Sequence, residues 1–100
     1  MESALVSVCI PAYNNEDTII ETIQSVLAQT YQHLELIIVD DRSTDETYKR
    51  VEQFAKDAKD ERLHLYRNEK NLGMAGNWNR CMELCEGEFI KLLCADDLIH

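Results

Sequence analysis

Three observations predict an α/β fold built on a parallel sheet. Short apolar runs alternate with stretches of helical periodicity, in the order βαβαβαβ. Two of those runs end in acidic pairs: Asp40-Asp41 follows Leu36-Ile37-Ile38-Val39, and Ala95-Asp96-Asp97 follows Phe89-Ile90-Lys91-Leu92-Leu93-Cys94. The 100 residues make one domain, large enough to bury a core without covalent staples. The expected architecture has three layers. A sheet of about four parallel strands, in the order 3-2-1-4, carries helices on both faces.

The elements follow in order. Residues 5–10 are β-rich and apolar, and the strand is expected to stop at Pro11. Asn14, Asn15, Glu16 and Asp17 offer capping oxygens and first-turn carboxylates for a first helix. Ile19, Ile23, Val26 and Leu27 then recur at helical spacing. Residues 35–39 form the second strand. Ser43 followed by Glu46 reads as a capping box, and Val51, Phe54, Ala55 and Ala58 mark the buried face of the second helix. Leu63, Leu65 and Tyr66 make a short third strand with His64 facing outward. Residues 68–76 are loop-like. A third helix spans about 75–86, with Gly87 as its C-cap signal, and residues 88–94 form a buried fourth strand.

Composition excludes several functions. The net charge of −9 argues against nucleic acid or an anionic membrane as the main partner, since phosphate binding runs on Lys and Arg. Cys9, Cys81, Cys85 and Cys94 form no CxxC pair, and His33, His64 and His100 show no ligand spacing with them. They read as reduced, structural thiols. The N-terminus lacks the pattern of a signal peptide, and no apolar stretch approaches the ~20 residues of a membrane span. A cytoplasmic chain is the expectation.

In an open parallel sheet, ligands bind beyond the C-terminal strand ends where strand order reverses. With the order 3-2-1-4, that crevice opens between strands 1 and 4. Pro11-Ala12-Tyr13-Asn14, Asp40-Asp41 and Asp96-Asp97 then converge on it. No GxGxxG follows strand 1 and no GxxxxGK[ST] occurs, so a dinucleotide fold and a P-loop are set aside. A phosphoryl-receiver domain would place its acidic pair after strand 1, where this chain has Pro-Ala-Tyr-Asn.

The motifs in sequence are Val6-Ser7-Val8-Cys9-Ile10-Pro11-Ala12-Tyr13-Asn14, Ser25-Val26-Leu27-Ala28-Gln29-Thr30-Tyr31, Glu35-Leu36-Ile37-Ile38-Val39-Asp40-Asp41-Arg42-Ser43-Thr44-Asp45, Asn71-Leu72-Gly73, Gly87-Glu88-Phe89-Ile90 and Ala95-Asp96-Asp97. Together they resemble the N-terminal half of a family 2 glycosyltransferase of the GT-A fold. The resemblance covers nearly the whole chain.

That resemblance implies a site. Pro11, Ala12 and Tyr13 would hold a nucleotide base, usually uracil, with Tyr13 stacking on it. Glu16 would help at the ribose or phosphate side, although a carboxylate at a helix N-terminus also needs no ligand to explain it. Asp41 would accept a hydrogen bond from the base. A carboxylate suits an imide N–H and rejects a ring nitrogen bearing only a lone pair. Asp40 reads as a cap or loop organiser. Asp96 would touch the ribose and Asp97 would ligate a metal. Bare aspartates repel a pyrophosphate, each like-charge contact costing about 4 kcal/mol at ~4 Å and an effective dielectric of ~20. Mn²⁺ or Mg²⁺ between them reverses the sign.

Two departures from the family pattern stand out. Cys94 occupies the position of the first acid in Asp-x-Asp-Asp. In Asn77-Trp78-Asn79-Arg80 the family arginine is displaced by two positions, and Trp78 reads as core.

No residue matches the base that deprotonates the acceptor. The chain, residues 1–100, therefore looks like a donor-binding part that takes a nucleotide-sugar such as a UDP-sugar. The acceptor would be a glycan or a lipid-linked sugar, as in polysaccharide biosynthesis. In the full-length protein this part would lie peripheral to the inner membrane face. A dimer through the exposed edge of strand 4 is a further expectation. A non-catalytic nucleotide-binding or interaction module is the alternative.

Overall fold

The computed structural model describes residues 4–29 and 31–94. The elements are β1 (Val6–Ala12), α1 (Ile19–Leu27), β2 (Leu34–Asp40), α2 (Thr47–Ala58), β3 (Leu63–Arg67), α3 (Gly73–Leu84) and β4 (Phe89–Leu92). All four strands are parallel, in the order β3-β2-β1-β4. The predicted alternation and strand order hold.

β2 lies centrally and every one of its residues is buried, as a parallel strand covered on both faces requires. Its even residues Leu34, Leu36 and Ile38 join Val8, Ile10 and Ala12 of β1 beneath α1 and α2, around Ile19, Ile23, Val26 and Val51. The odd residues Ile37 and Val39 pack with Cys9 and Cys81 beneath α3, flanked by Leu84, Cys85 and Leu92. Two helices thus cover one face and a single helix covers the other. The cysteines under α3 are free thiols. The neighbouring Cys81 and burial together push the Cys9 thiol far up, and burial foremost pushes Cys85 up to about 12. Cys9 and Cys85 are thus packing groups with negligible thiolate character.

Pro11 lies inside β1 rather than ending it. Cys9 C=O accepts from Leu93 N–H and Ala12 C=O accepts from Asp41 N–H. Backbone direction alternates along a strand, so the Pro11 nitrogen faces the β4 side, beyond the last β4 pair at Leu92. The missing donor costs no ladder bond there, while pairing to β2 continues through Ala12 opposite Asp40. β1 and β4 therefore part company at Pro11, and a crevice opens between them.

Several local expectations are corrected. The Ser43–Glu46 capping box does not form: α2 begins three residues later, at Thr47, with Glu46 at the N-cap position and no side-chain cap from it. Ser43 instead donates to Asp40 Oδ1 at 2.5 Å and accepts from Asn14 N–H at 3.0 Å. Asp45 takes the capping role, accepting from Thr47 N–H (2.9 Å), the Thr47 hydroxyl (2.5 Å) and Glu16 N–H (3.3 Å). Asn14 and Asn15 do not cap α1 with their side chains. Asn14, in the left-handed region at φ 53°, accepts from Thr44 and Asp45 N–H and so ties the β1 loop to the β2 loop. Ala58 is exposed at the frayed side of α2.

α3 starts at Gly73, two residues earlier than expected, and ends at Leu84 with Cys85 already extended. Gly87 is not its C-cap. A Cβ there would lie 2.7 Å from Leu5 O, 2.7 Å from Ser7 Oγ and 2.8 Å from Ser7 N. Gly87 is thus required by close backbone approach, and its N–H donates to Ser7 Oγ at 2.8 Å. Buried Glu35 completes this joint, accepting from the Ser7 hydroxyl (2.5 Å) and Glu86 N–H (2.7 Å). β4 is short and exposed, with Phe89 62% and Ile90 42% accessible, because its outer edge has no neighbour among the described residues. The expectation of a buried fourth strand fails for that reason. Leu92 packs partly buried against the cluster under α3, and Leu93, after the strand, is buried in the other cluster.

Two predictions arise from these joints. Gly87→Ala should destabilise the fold by about 2–3 kcal/mol, since backbone atoms cannot yield to the new methyl; the urea midpoint measures it, and an unchanged midpoint would show that the joint relaxes. The second concerns acid. The bidentate Arg62 guanidinium, at 2.8 and 3.0 Å, holds the Asp60 carboxyl below its ordinary range. At Asp45 partial burial pushes upward, but the hydrogen bonds from Thr47 and Glu16 prevail and the net direction is down. A depressed folded-state value means stability fully present above the unfolded value of about 4 and lost as pH falls through the lower one. Asp45→Asn and Asp60→Asn should each flatten the decline in thermal midpoint below about pH 4; an identical acid limb would remove these carboxyls from the account.

Candidate functional site

The C-terminal ends of β1 and β2 and the start of α3 enclose a cavity of about 660 Å³, within the size range of small-ligand sites. Pro11, Ala12, Tyr13 and Asn15 form one wall, Asp41 the base, and Asn71, Gly73, Met74, Asn77 and Trp78 the opposite wall. Cys94, beyond β4, closes a third side. The cavity therefore lies at the predicted reversal of strand order.

Asp41 follows the last residue of the buried strand β2 and is only 2% exposed. It caps α3, not α2. Its Oδ1 accepts from Leu72 N–H at 2.7 Å and from the Asn68 side-chain amide at 2.9 Å, and its Oδ2 accepts from Gly73 N–H at 3.0 Å. A buried carboxylate is tolerable because three donors and the positive end of a helix replace its water. The peptide oxygen of Asp41 also accepts from the Asn71 side chain at 3.0 Å. Gly73 adopts φ +81° at this turn, which a side chain would resist. A carboxylate oxygen accepts about two hydrogen bonds, so Oδ1 is saturated and Oδ2 keeps one acceptor place.

Asp40 is the loop organiser that the sequence suggested. Its carboxylate accepts from Ser43 N–H at 3.0 Å and meets Arg67 at 3.4 Å, and Arg67 lies over the Tyr48 ring. Tyr13 is 46% exposed and lines the cavity. Glu16 is held elsewhere: its Oε2 accepts from Glu46 N–H at 3.1 Å at the start of α2, and it is not part of the cavity wall. Trp78, expected in the core, is half-buried on the cavity wall. Its place one position past buried Asn77 on α3 rotates it off the sheet and toward the strand ends. Arg80 is exposed. Asp96 and Asp97 lie outside the described residues.

Asn68 and Asn77 were not singled out from the sequence. Both are buried, and they link Asp41 to the Val39 carbonyl. The available signal was an amide at a core-facing position of α3. Among the described residues no group of three or more His, Cys, Asp or Glu could hold a metal. Among the described residues Asp41 is the one carboxylate on the cavity wall, and its lone pairs are largely spent on N–H donors.

Residues 7–100 match the family model for Glycosyl transferase family 2. The chain is 42% identical over 98 residues to the UDP-Glc:alpha-D-GlcNAc-diphosphoundecaprenol beta-1,3-glucosyltransferase WfgD of Escherichia coli, covering 98% of this chain and 37% of that protein. Among solved structures, the mannosyltransferase PcManGT from Pyrobaculum calidifontis in complex with GDP-Man and Mn²⁺ superposes with a TM-score of 0.86 at 32% identity, over 93% of this chain and 28% of that one. S. aureus TarS 1-349 in complex with UDP gives a TM-score of 0.82 at 34% identity, over 95% and 28% of the two chains. The chain spans a little over a third of the length of the curated relatives it matches. With fold, cavity position and motif order in agreement, the chain belongs to glycosyl transferase family 2.

Proposed function

We propose that this chain carries the donor-binding part of a glycosyltransferase and takes a nucleotide-sugar, a UDP-sugar by preference, in the cavity between β1 and α3. The observation that carries the reading is that Asp41, with an acceptor place left on Oδ2, and the exposed Tyr13 line the same cavity. Tyr13 stacks on the base, Pro11 and Ala12 form the backbone shelf, and Asp41 accepts the base N–H. Uracil and guanine both present such an N–H. The solved relatives in complex with UDP and with GDP-Man fit this rule.

The metal belongs to the same proposal. The described cavity wall offers a pyrophosphate no cation, and the chain carries a net charge of −9. Asp97 would hold Mn²⁺ or Mg²⁺ and Asp96 would contact the ribose. The ion would stabilise the charge developing on the departing nucleoside diphosphate. Glu16, engaged at α2, would act on the donor only indirectly, through the loop it braces. Base and acceptor pocket would come from residues other than those on this cavity wall, so the described residues bind the donor and do not deprotonate an acceptor. The glucosyltransferase named above points to a lipid-linked or glycan acceptor for the whole enzyme. That in turn suggests action at the cytoplasmic face of a membrane; no helix among the described residues is long and apolar enough to cross one. The bare β4 edge, with Phe89 and Ile90 exposed, would pair with a second copy of the chain. A sedimentation profile independent of concentration would dismiss that pairing.

Calorimetry should show UDP binding that requires Mn²⁺ or Mg²⁺, and Asp97→Ala should abolish the metal dependence; equal affinity with and without chelator would remove the metal. Tyr13→Ala should weaken UDP binding by about 1–3 kcal/mol, the range for base–aromatic stacking. A maleimide should label exposed Cys94 while Cys9 and Cys81 stay protected until the chain unfolds. UDP should slow that labelling, because Cys94 lines the cavity. Labelling at the same rate with saturating UDP would place the nucleotide elsewhere.

A further inference from the structure

We propose that Asn68 and Asn77 are positioning residues that set base selectivity by fixing which oxygen of Asp41 faces the ligand. The proposal rests on the reading of the cavity as a nucleotide-base site, and concerns a buried amide chain whose Asn77 also lines the cavity.

The orientation of each group follows from its neighbour. The Asn77 side-chain amide donates to the Val39 carbonyl of β2 at 3.1 Å. A carbonyl only accepts, so the Asn77 NH₂ must point there and its Oδ1 must point away. That Oδ1 accepts from the Asn68 Nδ2 at 2.9 Å. The Asn68 NH₂ has two hydrogens, and the second goes to Asp41 Oδ1 at 2.9 Å. Flipping either amide would set oxygen against oxygen at hydrogen-bond distance in a buried place, where Asn68 is 6% and Asn77 3% exposed. The amide chain therefore has one arrangement, anchored on the sheet.

Its end point is Asp41. With Asn68 and Leu72 N–H both on Oδ1, that oxygen is filled, and the carboxylate cannot rotate without losing two bonds. Oδ2, held by Gly73 N–H alone, is left with an acceptor place, taken in this proposal by a base in the cavity that Asp41 lines. An acceptor fixed in direction rewards a base with a ring N–H and penalises one with a lone pair at that place. Without Asn68 the carboxylate can turn away from the ring N–H, and a water in its place, able to donate or accept, can satisfy either base. Selectivity should then fall more than affinity.

The test is the ratio of the CDP to the UDP dissociation constant in Mn²⁺, taken on one preparation so that any unfolded fraction cancels. Cytosine differs from uracil by carrying a lone pair at N3. The unsubstituted chain should favour UDP by about tenfold or more, the scale of one unmade buried hydrogen bond. Asn68→Ala and Asn77→Ala should bring the ratio down toward one. A ratio preserved in either folded variant, with both affinities reduced equally, would mean that the amides merely support the fold, and would overturn the inference. Should neither variant fold, the unsubstituted protein supplies the readout by NMR: the Asn68 side-chain NH₂ resonances should move on adding UDP and stay put on adding CDP, and identical responses to the two would overturn it. No preference for UDP in the unsubstituted chain would instead overturn the base-site reading, and this inference with it.

Discussion

A carboxylate buried at the end of a central strand is the constraint on which the site depends. Asp41 is carried out of the core by β2, where solvation is lost, and it can stay there only by collecting donors. It finds them on the first N–H groups of α3 and on Asn68. One side chain thus fixes where α3 begins, how the turn at residues 71–73 is shaped, and which way the cavity faces. Helix α3 packs against the sheet through Cys81, yet its register on the sheet is decided at the other end, by the acid.

The loops after β1 and β2 work as one unit for a similar reason. Asn14, Asn15, Glu16, Ser43, Asp45 and Thr47 exchange hydrogen bonds across the two connections. Their polar side chains replace the regular caps that both helices lack. The cavity wall bearing Tyr13 is consequently braced on α2, an element that never touches the cavity.

The strand order and the site's position were legible because β2 and β1 carry long apolar runs whose meaning is set by burial alone. Asp41 was legible as an acid at the crevice, and Asp40 as a loop organiser, since two acids at a strand end need partners. The identity of those partners was not. Ser43 and Glu46 satisfy the spacing of a capping box, but the Ser43 hydroxyl donates to Asp40 and accepts from Asn14 N–H, while Glu46 N–H goes to Glu16 Oε2. Gly87 resembled a helix terminator, whereas its lack of a Cβ serves contact with Leu5 and Ser7, some eighty positions away in sequence. The fourth strand looked buried because its residues are apolar, and apolarity does not tell an interior strand from an uncovered edge. Asn68 and Asn77 are ordinary amides in sequence, and only the tertiary approach of β3 to α3 turns them into a relay.

The parting of β1 from β4 at Pro11 has a consequence for motion. Seven residue pairs join β1 to β2, but only four join β1 to β4, at the sheet's bare margin. Local opening begins where ladders are short and edges uncovered. The cavity thus has one wall on the most cooperative part of the molecule and one on its loosest. A molecule seated between them would need to bring the loose side in before both walls could grip it, so amide protons of residues 89–93 should be among the first to exchange in the empty chain and the most slowed when the cleft is filled.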